Sequence, residues 1–271
     1  MDDILKRWIE GIFGGINSDV SSITGQITMS PAQAFGQDFW NTLLKIGATI
    51  VMPFALVILC YAMTAELYNV YCKANGELDL QLVSATMMRF IIPFVCITKT
   101  YDLLQIIFNA FNKMIIQLGT AVGSGTAGKL TDTSALVNQI SGIDFFGKLG
   151  LMMELMPLQL GMKIMSLVIT VIVYGRMIEI VIYWVFSPIP FATFTHSEFS
   201  QIGKNFIKLF AAVLLQGGFM ILCVSIYSIL VRQHVMEVSV NGGWVLMGYC
   251  AVLIITLASS GKMSKKFLGT F

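Results

Sequence analysis

Three stretches of this sequence run for at least 20 residues without an Asp, Glu, Lys or Arg. They are Ile46–Ala65, Phe210–Val231 and Val238–Gly261, and charged residues lie close to both ends of each stretch. An α-helix that crosses the apolar part of a bilayer needs about 20 mostly apolar residues. Each stretch therefore predicts a membrane-spanning helix.

The composition of the whole chain also indicates a membrane protein. Of its 271 residues, 56% are hydrophobic and 12% are charged, whereas soluble globular proteins have about 25% charged residues. The net charge of +2 is small, and free nucleic-acid-binding proteins need many Lys and Arg contacts to phosphates. The composition argues against both a water-soluble enzyme and a free DNA-binding domain.

Two further apolar segments carry charges inside them. Leu80–Thr98 contains Arg89, and Gly161–Phe186 contains Arg176 and Glu179. A charge at the centre of a bilayer costs about 2.5–3.5 kcal/mol, so we expect these side chains to point into a helix bundle or a wet cavity. Because Arg176 and Glu179 lie on one helix face, they form either a structural ion pair or part of a transport path.

The segment Thr100–Leu118 is amphipathic, and its polar residues form one stripe along the predicted helix. The stripe consists of Asp102, Gln105, Asn109, Asn112 and Lys113. Three interpretations remain open for this helix. It lines a water-filled path, lies flat at the membrane interface, or packs its amide groups against a neighbouring helix.

Two amphipathic regions lie outside the predicted bundle. The first is an N-terminal helix, which we expect at the membrane surface or against a partner. Its apolar face includes Trp8, Ile9, Ile12 and Phe13. The second is Ala121–Leu160, which begins with a Gly-rich stretch too polar to span a membrane. We interpret it as a large extracytoplasmic loop with a short helix of its own.

These segments predict an all-α polytopic transmembrane bundle with five to six spans. Its regions are an N-terminal amphipathic helix and linker (1–42), the first membrane helices (43–120), the extracytoplasmic loop (121–160) and the C-terminal membrane helices (161–271). Six spans with the N-terminus inside place an excess of Lys and Arg in the cytoplasm, as the positive-inside rule prefers. Five spans with the N-terminus outside leave the two sides nearly equal.

The sequence contains no recognisable catalytic or metal-binding constellation. His196 and His234 lie far apart and lack an HExxH context, and neither a Walker A motif nor a GxSxG elbow is present. The five cysteines contain no CxxC pair, which indicates unpaired thiols. We therefore expect a protein that is not an enzyme and that binds no metal ion or cofactor.

Several short segments, taken in their order along the chain, resemble those of a known family. They are Trp8-Ile9-Glu10, Ile50-Val-Met-Pro53, Met63-Thr-Ala-Glu66-Leu67, Ile97-Thr-Lys-Thr-Tyr101, the Gly-rich region and Ser187-Pro-Ile-Pro-Phe-Ala192. This order resembles the TrbL-like membrane subunits of conjugative type IV secretion systems, in particular the short forms on mobile elements of Gram-positive bacteria. Relatives are described with five spans and an outside N-terminus, so the resemblance and the charge count disagree on orientation.

The resemblance implies an oligomeric subunit, arranged as a ring with other secretion subunits, in the cytoplasmic membrane. Such a subunit helps to translocate single-stranded DNA with its relaxase, or a protein substrate, while separate ATPases supply the energy. A channel for a polyanion needs a wet lining with positive charge, which Arg89, Lys113 and Arg176 provide as embedded candidates. Small residues favour the lateral helix contacts of a ring. These are Ala211, Ala212, Gly217, Gly218 and Ser225.

Two other functions fit a small multi-pass protein. The first is a stand-alone transporter of small solutes or ions, whose helices are often broken near the middle of the membrane. Pro53, Pro93 and the pair Gly217-Gly218 interrupt apolar segments here, although prolines in membrane helices are also common as simple kinks. The second is a holin-like membrane protein.

Overall fold

The computed structural model describes residues 22–73, 80–126, 145–195, 199–235 and 242–270. Within these ranges every regular element is helical, which confirms the all-α class. Residues 22–28 are helical. The α-helices that follow are α1 (Pro31–Phe35), α2 (Gln37–Ile46), α3 (Met52–Lys73), α4 (Leu80–Thr98), α5 (Thr100–Thr126), α6 (Phe145–Phe186), α7 (Pro188–Ala192), α8 (Ser200–Val235) and α9 (Gly242–Phe267).

The chain divides into two compact units. Unit 1 contains the described residues of Met1–Met29, Lys113–Arg176 and Gln216–Met263. Unit 2 contains those of Ser30–Asn112, Met177–Leu215 and Ser264–Phe271. The long helices α5, α6, α8 and α9 therefore contribute residues to both units.

Unit 2 has an apolar core centred on Trp184, which is only 1% exposed. Its ring meets the rings of Trp40 and Phe210 edge to face, at centroid distances of 5.1 and 6.1 Å, and the ring of Phe108 at 5.7 Å. Tilted and edge-to-face contacts of this kind are the favoured geometry of aromatic pairs. The core thus joins α2, α5, α6 and α8.

A π-helical turn, Gly47–Val51, connects α2 to α3. Pro53 has no amide hydrogen to donate to the carbonyl of Thr49. In the wider turn, the amide of Met52 donates to Gly47, five residues earlier, so the chain passes the proline without ending the helix. The first long apolar stretch thereby becomes part of a candidate span of 37 residues, Gln37–Lys73.

Helices α4 and α5 are a bent pair whose axes differ by 68°. Helix α4 has the same bounds as the charged segment predicted from the sequence, and α5 begins at Thr100, where the sequence predicts a helix start. Pro93 lies inside α4 and does not end it. The bend is at Lys99, between two threonines.

Helix α6 corrects the interpretation of Ala121–Leu160 as a loop with a separate short helix. Helix α5 extends to Thr126, and residues 145–160 are the beginning of the 42-residue helix α6. From Phe145 onward the sequence is apolar and continuous with the next span, and Pro157 is accommodated within the helix. Residues 127–144 of the predicted loop, like Trp8, Ile9, Ile12 and Phe13, lie outside the described residues.

Three helices in the described ranges are long and apolar enough to cross a membrane. They are Gln37–Lys73, Ser166–Phe186 and Ser200–Leu230, and the bent pair of α4 and α5 adds a fourth if it forms one broken span. This count is lower than the five to six spans expected from the sequence, because the bent pair counts once and α9 is not among the helices that qualify. The pair Gly217-Gly218 does not interrupt α8, which is continuous.

Candidate functional site

Arg176 lies in the interior of unit 1, where α6 places it on a buried face with Ile169 and Val173. Its side chain is only 4% exposed. The guanidinium Nη1 donates a hydrogen bond to the backbone carbonyl of Ile27, at 3.2 Å. Ile27 lies in the last turn of the helical residues 22–28, where backbone carbonyls lack partners within their own helix. Arg176 therefore caps this helix end with a cation, which also suits the helix dipole.

Gly217 in α8 makes room for this arginine. A Cβ atom at Gly217 would lie 2.5–2.7 Å from three atoms of the Arg176 guanidinium, closer than non-bonded atoms can approach. The absence of a side chain therefore lets the flat guanidinium group lie against the α8 backbone. Gly218 is different, since a Cβ there would meet Leu118 at an ordinary 3.6 Å.

A second polar contact lies inside unit 1. Gln216, also buried, donates from Nε2 to the Ser260 hydroxyl at 3.3 Å, and that hydroxyl donates to the carbonyl of Leu257 at 2.6 Å. Gly261 lies beside the Gln216 amide, and a Cβ there would lie 3.3 Å from Gln216 Nε2, which is a tight contact. The amide is therefore held between α8 and α9 by a hydrogen bond that lipid could not supply.

In unit 2, Glu179 forms an ion pair with Lys265 at the C-terminal end of α9. The Lys265 ammonium lies 3.0 Å from Glu179 Oε1, and both side chains are about one-third exposed. The Tyr183 hydroxyl donates to the same carboxylate oxygen at 3.2 Å. The sequence offered an ion pair between Arg176 and Glu179 as one of two alternatives. In the structure Glu179 pairs with Lys265, and the Arg176 guanidinium donates to the carbonyl of Ile27.

The polar stripe of α5 lies on the surface. Gln105 and Asn109 are both exposed, and the Gln105 amide donates to the Asn109 side-chain oxygen at 3.0 Å. Asp102 is exposed and pairs with Lys99 across the bend at 3.5 Å. Asn112 is half-buried and Lys113 is exposed. The opposite face of α5 carries the buried residues Leu104 and Phe108.

Arg89 is exposed on α4 and does not point into unit 2. It is flanked by strongly exposed apolar residues, Met88 and Ile92. Of the two surroundings expected for Arg89, a helix bundle or a wet cavity, the interior of unit 2 does not supply the first. The buried side of α4 is formed by Phe90 and Ile97, which lie in the core of unit 2.

The small residues of α8 lie at helix contacts within the protomer. Ala212, Gly217 and Gly218 are buried, while Ala211 and Ser225 are half-buried, and the Ser225 hydroxyl donates to the carbonyl of Ile221 at 2.7 Å. The fully buried members pack helices within the protomer. Of the five residues named for the lateral contacts of a ring, Ala211 and Ser225 keep partly exposed surface, and their role in such contacts stays a prediction.

Sequence reasoning missed two sets of polar residues. Gln216 and Ser260 were overlooked because the membrane spans were identified by their lack of charged residues. An uncharged amide or hydroxyl side chain does not interrupt such a span. Lys265 was not singled out, since nothing local links it to Glu179, 86 residues away. The two threonines around Lys99 were a usable signal, because hydroxyl side chains bind backbone carbonyls at helix ends.

Comparison with known proteins identifies the family to which the chain belongs. A model of the TrbL/VirB6 plasmid conjugal transfer like protein family matches residues 16–188, more than half of the chain. The chain belongs to this family. Comparisons with curated proteins and with solved structures give no match.

Family membership makes the chain a conjugal transfer membrane protein and a component of a type IV secretion system with other subunits. The matched range includes Arg89, the polar stripe of α5, Arg176 and Glu179. It ends before Gly217 and Lys265, the residues that accommodate Arg176 and pair with Glu179.

Proposed function

We propose that this TrbL/VirB6-like protein is a non-catalytic subunit of the translocation channel of a conjugative secretion system. It works in the cytoplasmic membrane as an oligomer, whose copies together enclose a path for single-stranded DNA or a protein. Separate ATPases of the system supply the energy.

 The family match and the placement of polar side chains on α5 support this proposal, which includes a ring of copies and a DNA or protein substrate.

The observation that carries the proposal is the exposed amide pair of α5. Gln105 and Asn109 bond to each other on the surface of a helix that qualifies for a membrane only as part of a bent pair. Amide groups facing lipid are costly, because hydrocarbon offers them no hydrogen-bond partner. A second copy, or water enclosed between copies, removes that cost.

Arg89 supports the same conclusion from another helix. It is exposed on α4 of unit 2, and a charged residue within a membrane helix is expected to face protein or a wet cavity. Since unit 2 does not bury it, the wet cavity or the protein surface must come from outside this unit. Exposed cationic and amide groups are the lining that a polyanionic substrate requires.

Arg176 is assigned a different role. Its guanidinium is buried against Ile27 and Gly217, so it holds unit 1 together and does not contact substrate. The path is therefore assigned to the exposed residues of α4 and α5, and not to every charge within the apolar segments.

Cysteine labelling in the assembled secretion system tests this function. Asn109→Cys, in a background whose five native cysteines are replaced by Ala, should react with a membrane-impermeant maleimide. The matched control is Leu167→Cys, since Leu167 is 65% exposed on the apolar candidate span of α6. Labelling of Asn109→Cys and protection of Leu167→Cys support an aqueous path along α5. Equal protection of both positions contradicts it.

Two further measurements complete the test. The double variant Gln105→Leu/Asn109→Leu should insert into the membrane normally and lose conjugal transfer, because only the path loses its polar lining. Mass measurement of the detergent-purified protein should give a higher oligomer. A monomer stabilised by a small solute would favour a stand-alone transporter instead.

A further inference from the structure

Two irregular points of unit 2 meet at one contact. The first is the π-helical turn Gly47–Val51, and the second is the bend between α4 and α5. Tyr101, in the first turn of α5, places its hydroxyl directly over the Cα of Gly47, where a Cβ atom would collide with it. The carbonyl oxygen of Val185 lies beside the same position, 3.3 Å from where that Cβ would be.

The bend has its own hydrogen-bonding groups. The Thr98 hydroxyl donates to the carbonyls of Phe94 and Val95, at 3.0 and 3.1 Å. The buried Thr100 hydroxyl donates to the carbonyls of Cys96 and Ile97, at 2.6 and 2.8 Å. These four carbonyls near the end of α4 therefore have hydroxyl donors at the bend, in an environment where lipid offers none.

The contact between Tyr101 and Gly47 is steric. Within the described part of the chain, the Tyr101 hydroxyl has no hydrogen-bond partner, although the oxygen atom is buried. No hydrogen bond therefore has to break for the ring to slide across the glycine. The π-turn Gly47–Val51 is a wider turn, of a kind that is frequent at functional sites and at which helices kink.

We propose that residues 98–101 are a hinge that changes the angle between α4 and α5, with the contact between Tyr101 and Gly47 as its pivot. The hydroxyls of Thr98 and Thr100 stabilise the bent state. The importance of this hinge rests on the proposed function, because the part that moves carries the polar face of α5. Hinges of this kind consist of a few residues at the ends of otherwise rigid elements.

Distance measurement between spin labels tests the hinge in the full chain. Met88→Cys on α4 and Ile106→Cys on α5 are suitable sites, since both side chains are about two-thirds exposed. In lipid nanodiscs, with the native cysteines replaced by Ala, double electron–electron resonance should show a shorter distance for the bent state and a longer one for a straighter state. A single narrow distance that no variant changes would overturn the hinge.

Gly47→Ala should lower the bent population by about tenfold, because overpacking at this contact costs enough to shift an equilibrium by that factor. Tyr101→Phe removes the colliding hydroxyl and should restore much of the bent population in the Gly47→Ala background. Gly175→Ala is the matched control, since a Cβ there meets nothing within 4 Å. A shift without rescue by Tyr101→Phe would overturn the assignment of the pivot.

Thr100→Val provides a test that does not depend on the fold tolerating a side chain at Gly47. It keeps the shape of the residue and removes the two hydrogen bonds to the end of α4, so the longer distance should gain population. An unchanged distribution would contradict the role of the hydroxyl. The distance measurement does not depend on conjugal transfer, and the labelling of Asn109→Cys does not depend on a change of angle between α4 and α5. The hinge and the proposed function can therefore fail separately.

Discussion

Two buried polar residues of unit 1 contrast with three exposed polar residues of unit 2. In unit 1, Arg176 and Gln216 are buried and bonded to Ile27 and Ser260. In unit 2, Gln105, Asn109 and Arg89 lie on the surface. Similar residue types within apolar segments therefore serve two purposes. Arg176 and Gln216 hold helices together within one chain, whereas Gln105, Asn109 and Arg89 remain available to something outside it.

The largest expected effect is the loss of Arg176. Arg176→Ala leaves the buried carbonyl of Ile27 without this donor and creates a cavity beside Gly217. Together these changes should lower the free energy of unfolding by about 2–5 kcal/mol. The measurement is the thermal unfolding midpoint in detergent, with the amount of protein recovered from membranes. Normal stability combined with lost transfer would instead place Arg176 in the path.

Gly217→Ala should have the next largest effect, because its Cβ would overlap the Arg176 guanidinium. We expect a loss of about 1–3 kcal/mol in the free energy of unfolding. Gly218→Ala is the matched control, since its neighbours lie at ordinary contact distances of 3.6 and 4.0 Å. Equal effects of the two changes would show that α8 is sensitive to any added side chain, and that Arg176 is not the cause.

The ion pair of unit 2 should contribute less. Glu179→Gln keeps a hydrogen-bond acceptor for Tyr183 and removes the charge that pairs with Lys265. Because both side chains are partly exposed, the loss should be about 0.5–1 kcal/mol. A double-mutant cycle with Lys265→Met measures the coupling between the two residues. A coupling as large as the effect of Arg176→Ala would contradict the contrast between the units.

The smallest effect on stability is expected on the exposed face of α5. Gln105→Leu/Asn109→Leu should change the unfolding midpoint by little, since the single chain loses only the bond between two exposed side chains. The same variant is expected to abolish transfer. A large loss of stability would show that these amides pack within the protomer, and the comparison between the units would no longer hold.

The helices were largely predictable from the sequence, because uninterrupted apolar length determines what can cross a membrane. Helix α4 and the start of α5 were located to the residue. The long helix α6 was not, because the Gly-rich stretch before it favoured a loop. Helix-breaking residues are weaker signals in membrane proteins, where neighbouring helices satisfy the freed backbone groups.

The roles of the polar residues were less predictable. The sequence showed that Arg89 and Arg176 each lie in an apolar segment, and both received the same interpretation. Their difference depends on contacts between distant parts of the chain, such as those of Arg176 with Ile27 and Gly217. Helical spacing determines which residues share a face, but it does not determine whether that face is covered by the same chain.

The close approach of Gly217 to Arg176 also constrains how this protein can evolve. In this structure the Arg176 guanidinium occupies the volume that a Cβ atom at position 217 would take. A larger residue at position 217 therefore obliges the Arg176 side chain to move, or to be replaced by a shorter one, and either change disturbs the donor for Ile27. Positions 176 and 217 are therefore expected to covary among homologous sequences.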